Sequence, residues 1–168
     1  MIIPPSGRRR KGKFQKSKVS GGQLPFDPVR IEYRTSAAGL RWEQLEGFFI
    51  GWTVRPSAST LREHLVRSYR CAIAVDTASD RVVGFASAVS DGVLAAYIPL
   101  VEVLPGWHER GIGTELMNTL LDQLKHLYMV DLACDDEVRP FYEKLGMTAA
   151  TAMIRRNQRA LLPYAEET

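Results

Sequence analysis

The stretch that decides the reading of this chain is Val101-Glu102-Val103-Leu104-Pro105-Gly106-Trp107-His108-Glu109-Arg110-Gly111-Ile112-Gly113. A β-branched run ends at a Pro-Gly turn, and a Gly-x-Gly then opens a segment of helical periodicity. The first N–H groups of a helix lack carbonyl partners, and glycines at 111 and 113 leave the backbone uncovered where those groups point. A pyrophosphate can accept from several of them and sit at the positive helix end. Two familiar phosphate loops do not fit. Gly106 and Gly111 have Walker spacing, but Ile112 and Gly113 stand where Lys and Ser or Thr are needed. A dinucleotide fingerprint wants a small residue where Leu116 stands.

Downstream, Leu116, Met117, Leu120, Leu121, Leu124, Leu127 and Tyr128 recur at three- and four-residue spacing, which predicts an amphipathic helix over 112–128. Met129 to Cys134 reads as a strand returning in parallel. In Val138-Arg139-Pro140-Phe141-Tyr142-Glu143-Lys144-Leu145-Gly146-Met147, Pro140 belongs in the first turn of a short helix and Gly146 at its C-terminal end. Asp135 or Asp136 suits its cap, and Thr148 to Arg155 reads as a last strand.

Upstream, Val29 to Arg34 alternates as a half-buried strand. Thr35-Ser36 then offers a cap for a helix with Leu40, Trp42, Leu45, Phe48 and Phe49 as its apolar positions. Thr60-Leu61-Arg62-Glu63 reads as a capping box opening a second helix to about Arg67. Strands follow at 70–76 and 81–90, and Asp91-Gly92 predicts a tight hairpin into a long strand 93–104. Pro99 cannot donate to a ladder, so that strand is expected to carry a bulge or lose a partner near its middle. The element order is β-α-α-β-β-β-α-β-α-β.

Val103-Leu104-Pro105 followed by Arg110-Gly111-Ile112-Gly113 resembles the acetyl-CoA loop of the GNAT superfamily of N-acetyltransferases, with His108 at a position usually Gln or Arg. Phe141-Tyr142-Glu143-Lys144-Leu145-Gly146-Met147 is similar to that family's closing Phe-Tyr-x-x-Leu-Gly-Phe helix, and the two motifs stand in the family's order. The resemblance covers residues 29–156. It implies an α/β (α+β) fold, with a central mixed, mostly antiparallel twisted sheet flanked by helices, and an acyltransferase that takes acetyl-CoA as donor.

The resemblance also implies roles. Backbone groups of Val101, Glu102 and Val103 hold pantetheine and the acetyl carbonyl. His108 and the amides of Glu109, Arg110, Gly111, Ile112, Gly113 and Thr114 take the pyrophosphate. Tyr142 lies near the CoA sulfur as general acid, a packed aromatic beside Phe141 being the competing reading. Glu102 is the only acid of an apolar strand, so burial would raise its pKa and suit it to general-base work. A solvent-facing or arginine-paired carboxylate is the alternative there. Cys134 reads as a small buried hydrophobe rather than a nucleophile. Phe49, Trp52 and Tyr97 are the candidate acceptor-site residues. His64, His108 and His126 have no metal-ligand spacing, and no metal is expected.

Composition sets the limits. The chain has 168 residues, 45% hydrophobic and 24% charged, enough for one domain with a sizeable core. Its apolar runs are strand-sized, so no membrane span is expected. Two isolated cysteines, Cys71 and Cys134, suggest no disulfide framework, and a cytoplasmic enzyme is expected. Residues 1–18 carry seven basic residues and no acid, whereas the remainder carries 15 basic against 19 acidic. That divides the chain into a basic leader, 1–28, expected to be disordered, a domain 29–156 and a tail 157–168. With no interleaved aromatic platform in the leader, a nucleic-acid contact is the lesser expectation. The sequence therefore points to direct acetyl transfer to a primary amine of a small molecule, by a monomer or homodimer. A protein or peptide acetyltransferase and a non-catalytic acyl-CoA-binding module are the alternatives.

Overall fold

A computed structural model describes residues 30–165, and within them five strands form one sheet in the order β1-β2-β3-β4-β5. β1 (Ile31–Arg34), β2 (Arg70–Asp76), β3 (Arg81–Ser90) and β4 (Ala95–Val103) make an antiparallel meander, and β5 (Met129–Asp131) joins β4 in parallel. Helices α1 (Ala58–Arg67), α2 (Ile112–Leu124) and α3 (Arg139–Glu143) flank it. The expected leader lies outside the described residues.

The middle strands are buried on both faces, which is why 71–76 and 82–88 read as nearly unbroken apolar runs. On one face, Leu116, Met117, Leu120 and Leu124 of α2 pack onto Ala72, Ala74, Val83, Ala86 and Ile98. On the other, Leu61 and Leu65 of α1 join Leu40, Leu45, Phe48 and Phe49 over Ile73, Val75 and Phe85. Each such large side chain contributes about 1.5–3 kcal/mol when fully buried. Gly84 sets the approach of α2: a Cβ there would stand 2.9 Å from Leu116 Cδ1 and 3.1 Å from the Glu102 carbonyl oxygen.

Several expected elements take another form. The helix expected after Thr35-Ser36 is a loop with one 3-10 turn, Trp42–Leu45. Its Leu40, Leu45, Phe48 and Phe49 are buried nonetheless, while Trp42 is exposed. Positive φ at Gly39, Gly47, Phe49 and Gly51 interrupts a helix repeatedly, and a compact loop turns the same apolar residues inward. Gln44 fixes that loop by accepting from the Arg41 N–H and donating to the Asp80 carbonyl.

Further along, α1 starts earlier than its expected box, because Ser57 Oγ accepts from the Thr60 N–H at 3.1 Å. The hairpin is not tight. Asp91 Oδ1 accepts from the N–H groups of Val93, Leu94 and Ala95, so β4 begins only at Ala95. α2 ends at Leu124, and β5 spans three residues of the expected six. Neither Asp135 nor Asp136 caps α3; its first residue follows Val138, and the Asp135 carbonyl accepts from Val138 and Arg139 instead. Thr148 to Arg155 forms no strand: it is exposed, and the chain beyond it is drawn to the start of α1, where the Tyr164 carbonyl accepts from the Ser57 N–H at 2.9 Å.

Candidate active site

The loop ahead of α2 is shaped by two left-handed residues. Glu109 at φ +61° and Gly111 at φ +78° are both left-handed, which turns the chain sharply into the helix. No side chain caps α2 at Gly111. The amides of Ile112, Gly113 and Thr114 are thus left at a positive helix end without a side-chain acceptor, as an anionic ligand requires. A Cβ at Gly111 would meet nothing within 4 Å. Beside the loop, the Arg110 guanidinium lies 4.9 Å over the Trp107 ring. His108 Nε2 lies 2.7 Å from the Val103 carbonyl oxygen and so fastens the loop to the strand. Val101 and Val103 are half-buried at the margin of the α2 cluster.

The bulge expected at Pro99 is present and shapes the site. Ser87 stands opposite Leu100 and Val89 opposite Tyr97, so Ala88 alone faces both Ile98 and Pro99. One extra residue reverses the side-chain parity of β4. Ile98 joins the α2 core, while Tyr97 and Leu100 line a single cavity. Described β4–β5 pairing ends at Tyr97↔Asp131, ahead of the bulge. Past that point β4 turns every second backbone group toward a side with no described ladder.

Glu102 lies opposite Phe85 in the ladder, under the loop that carries Phe49. It is 5% exposed; Oε1 accepts a 2.8 Å bond from the Phe49 N–H, and Oε2 has no partner among the described residues. Burial pushes its carboxyl up to about 7, against the opposing pull of the Phe49 N–H and the Arg55 charge. It does not face solvent, and among the described residues no arginine bridges it.

Trp52, Tyr97, Pro99 and Leu100 form one wall of a cavity of about 570 Å³, and Arg156, Asn157, Gln158 and Leu161 form another. The Trp52 Nε1–H is buried without an acceptor among the described residues. Phe49 does not reach this cavity. It packs on Trp52 and Phe85 in the core and acts through its backbone, holding Glu102. The tail wall was not legible in the sequence, since residues 156–161 have neither period nor motif; only the fold back to Ser57 brings them there.

Tyr142 of α3 sits in the α2 cluster, on the other side of β4 from Glu102, with its ring edge-on to Phe141 at 4.9 Å. Burial, with Cys134 beside it, pushes its phenol up to about 12, which keeps it protonated at neutral pH. Burial first, and then the charges of Asp135 and Asp136, push the half-buried Cys134 thiol up as well, which disfavours a thiolate nucleophile. Among the described residues there is no group of three His, Cys, Asp or Glu able to hold a metal ion, and no helix long and apolar enough to cross a membrane.

This arrangement is that of a known family. The profile of the Acetyltransferase (GNAT) family matches residues 37–147. A candidate acetyltransferase from Deinococcus radiodurans R1 is 48% identical, with a TM-score of 0.72 over 75% of this chain and 87% of that one. A GNAT-family acetyltransferase from Streptococcus pneumoniae TIGR4 is 28% identical, with a TM-score of 0.63 over 77% and 99% of the two chains. The uncharacterised N-acetyltransferase ycf52 of Porphyra purpurea is 28% identical over 132 residues, 72% of this chain and 74% of its own. The chain belongs to the GNAT family of acetyltransferases and is an acyltransferase.

Proposed function

We propose that this protein transfers an acetyl group from acetyl-CoA directly to a primary amine of a small molecule. The observation that carries the reading is the buried Glu102, anchored through one oxygen and, among the described residues, unpartnered at the other, on the strand that also lines a cavity of about 570 Å³. Acetyl-CoA, when bound, supplies the acyl group and a thiolate to leave. Its pyrophosphate fits the amides of residues 112–114 at the start of α2. Glu102 takes the proton of the attacking ammonium, directly or through a water, because a carboxyl titrating near 7 is both ionised enough and basic enough for the task. Tyr142, protonated across the working range, gives a proton to the thiolate.

The cavity supports a small acceptor over a protein substrate. Trp52, Tyr97, Leu100 and Leu161 suit an amine with an apolar or aromatic body, and a volume of about 570 Å³ is that of a small-molecule site. The test is CoA release from acetyl-CoA with a panel of arylalkylamines, polyamines, amino sugars and short peptides. Turnover concentrated in the small apolar amines is expected. Turnover on peptides alone would contradict the acceptor class, and binding of acetyl-CoA without turnover on any amine would contradict catalysis.

A further inference from the structure

Charge is divided between the two walls of the cavity. Arg156, on the wall formed by the tail, is the one charged side chain among the described residues that line it. No carboxylate of the described residues pairs with it. Asn157 and Gln158 beside it bring amide N–H donors to the same wall, and the Asn157 side chain caps no helix. Residues 148–165 carry three arginines, Arg155, Arg156 and Arg159, and no acid, on a body that is otherwise acidic. Behind the strand wall the sign is opposite. Glu102 stands two residues beyond Leu100 on the same face of β4, and Asp131 is opposite Tyr97 in the parallel ladder.

A primary amine reaches this cavity as an ammonium ion, and the strand side is where its charge is welcome. The tail side repels a second cation, because the guanidinium of Arg156 is not neutralised there. An anionic group on the acceptor reverses that sign. Trp52, Tyr97, Leu100 and Leu161 supply the apolar body between the two poles. A guanidinium presents a planar fork of N–H donors that matches a carboxylate through two parallel bonds. One guanidinium also balances one negative charge, which suits a carboxylate better than a phosphate dianion.

We propose that the acceptor is a primary amine that carries a carboxylate at the end away from the amine, with Arg156 holding the carboxylate while the amine lies on the strand side, toward Glu102. This rests on the reading of the cavity as the acceptor site. Arg156 is then the residue that selects among amines: it draws in those with an anionic far end and turns away diamines and polyamines. Its contact is the same before and during the chemistry, so it acts on KM and leaves kcat for an accepted amine near its natural value.

The test uses three amines with one ring and one aminomethyl group, differing only at the far end: 4-(aminomethyl)benzoate, benzylamine and 1,4-bis(aminomethyl)benzene. Their dissociation constants are measured by calorimetry on the full chain with CoA present, and kcat and KM are measured with acetyl-CoA. The natural chain is expected to bind the carboxylate at least about tenfold tighter than benzylamine, and the diamine more weakly than benzylamine. Arg156 is exposed, so Arg156→Gln should fold with an unchanged melting midpoint. It should bring the three affinities within about twofold of one another, and Arg156→Lys should restore part of the order. Equal binding of the three by the natural chain, a preference for the diamine, or no binding of any would overturn the proposal. So would a carboxylate preference that survives Arg156→Gln. Turnover of none of the three, with the binding order kept and lost in Arg156→Gln, would support the carboxylate site and contradict acetyl transfer alone.

Discussion

The backbone N–H of Phe49 donates a 2.8 Å hydrogen bond to Oε1 of Glu102. Phe49 holds a left-handed φ of +61°, a conformation that costs a bulky residue about 1–3 kcal/mol. The loop carrying it is therefore held in place by β4 and by its own buried rings, and in return it fixes the carboxylate. Glu102 cannot turn to solvent, and one oxygen is committed to the fold.

That burial makes stability depend on pH in a defined direction. The folded carboxyl titrates near 7 against an ordinary 4.5, so the folded state binds more protons between those values and loses stability as pH rises through them. The loss is complete above about 7 and on the order of 3 kcal/mol. Glu102→Gln keeps an oxygen for the Phe49 N–H and has no charge to bury. Its melting midpoint should exceed the natural protein's at pH 8.5 and approach it at pH 5; an equal gap at both would contradict the burial account.

Gly113→Ala separates ligand space from folding. A Cβ at 113 meets Phe141 and Val103 at 3.7 and 3.8 Å, which is ordinary contact, and alanine favours a helical residue by about 0.5–1 kcal/mol. Thermal melting should therefore hold or rise. Acetyl-CoA affinity, read by calorimetry, should fall at least about tenfold, because the methyl is added at the helix end proposed to take the pyrophosphate. Unchanged affinity would remove the ligand from this helix end.

How much of this was legible in the sequence follows particular residues. The strands 70–76 and 81–90, the bulge at Pro99 and the Gly-x-Gly helix start were readable because periodicity, a missing donor and backbone freedom are local properties. Leu40, Leu45 and Phe48 were readable as core but not as a loop, because helical spacing does not exclude a compact turn rich in positive φ. Glu102 was singled out by its isolation in an apolar strand, yet its face depends on the parity reversal at Pro99. The wall formed by Arg156 to Leu161 depends on the bond from Ser57 to Tyr164, a contact with no sequence signature.

Trp52→Phe tests whether the cavity holds the amine. The indole N–H is buried without an acceptor among the described residues, so its removal should leave stability unchanged or slightly raised. If the acceptor supplies the missing partner, KM for the amine should rise about two- to tenfold with acetyl-CoA binding unaltered. A change in acetyl-CoA affinity alone would assign Trp52 to the donor side.

Tyr142→Phe keeps the ring against Phe141 and removes only the proton donor. Turnover should fall toward the low end of the roughly 10²–10⁴-fold range of general acid catalysis, since thiolate leaves readily. Acetyl-CoA affinity should stay within about twofold. Natural turnover in this variant would leave Tyr142 a packing residue.

The central claim is that Glu102 removes the proton of the acceptor amine, and the most direct measurement is kcat/KM against pH for the natural protein and Glu102→Gln with an accepted amine. The natural profile should rise with unit slope and level off above about 7, where the carboxyl titrates. Glu102→Gln should lose that limb and at least about a hundredfold in kcat/KM at pH 8, with acetyl-CoA affinity intact. The same limb and the same rate in both proteins would contradict the account.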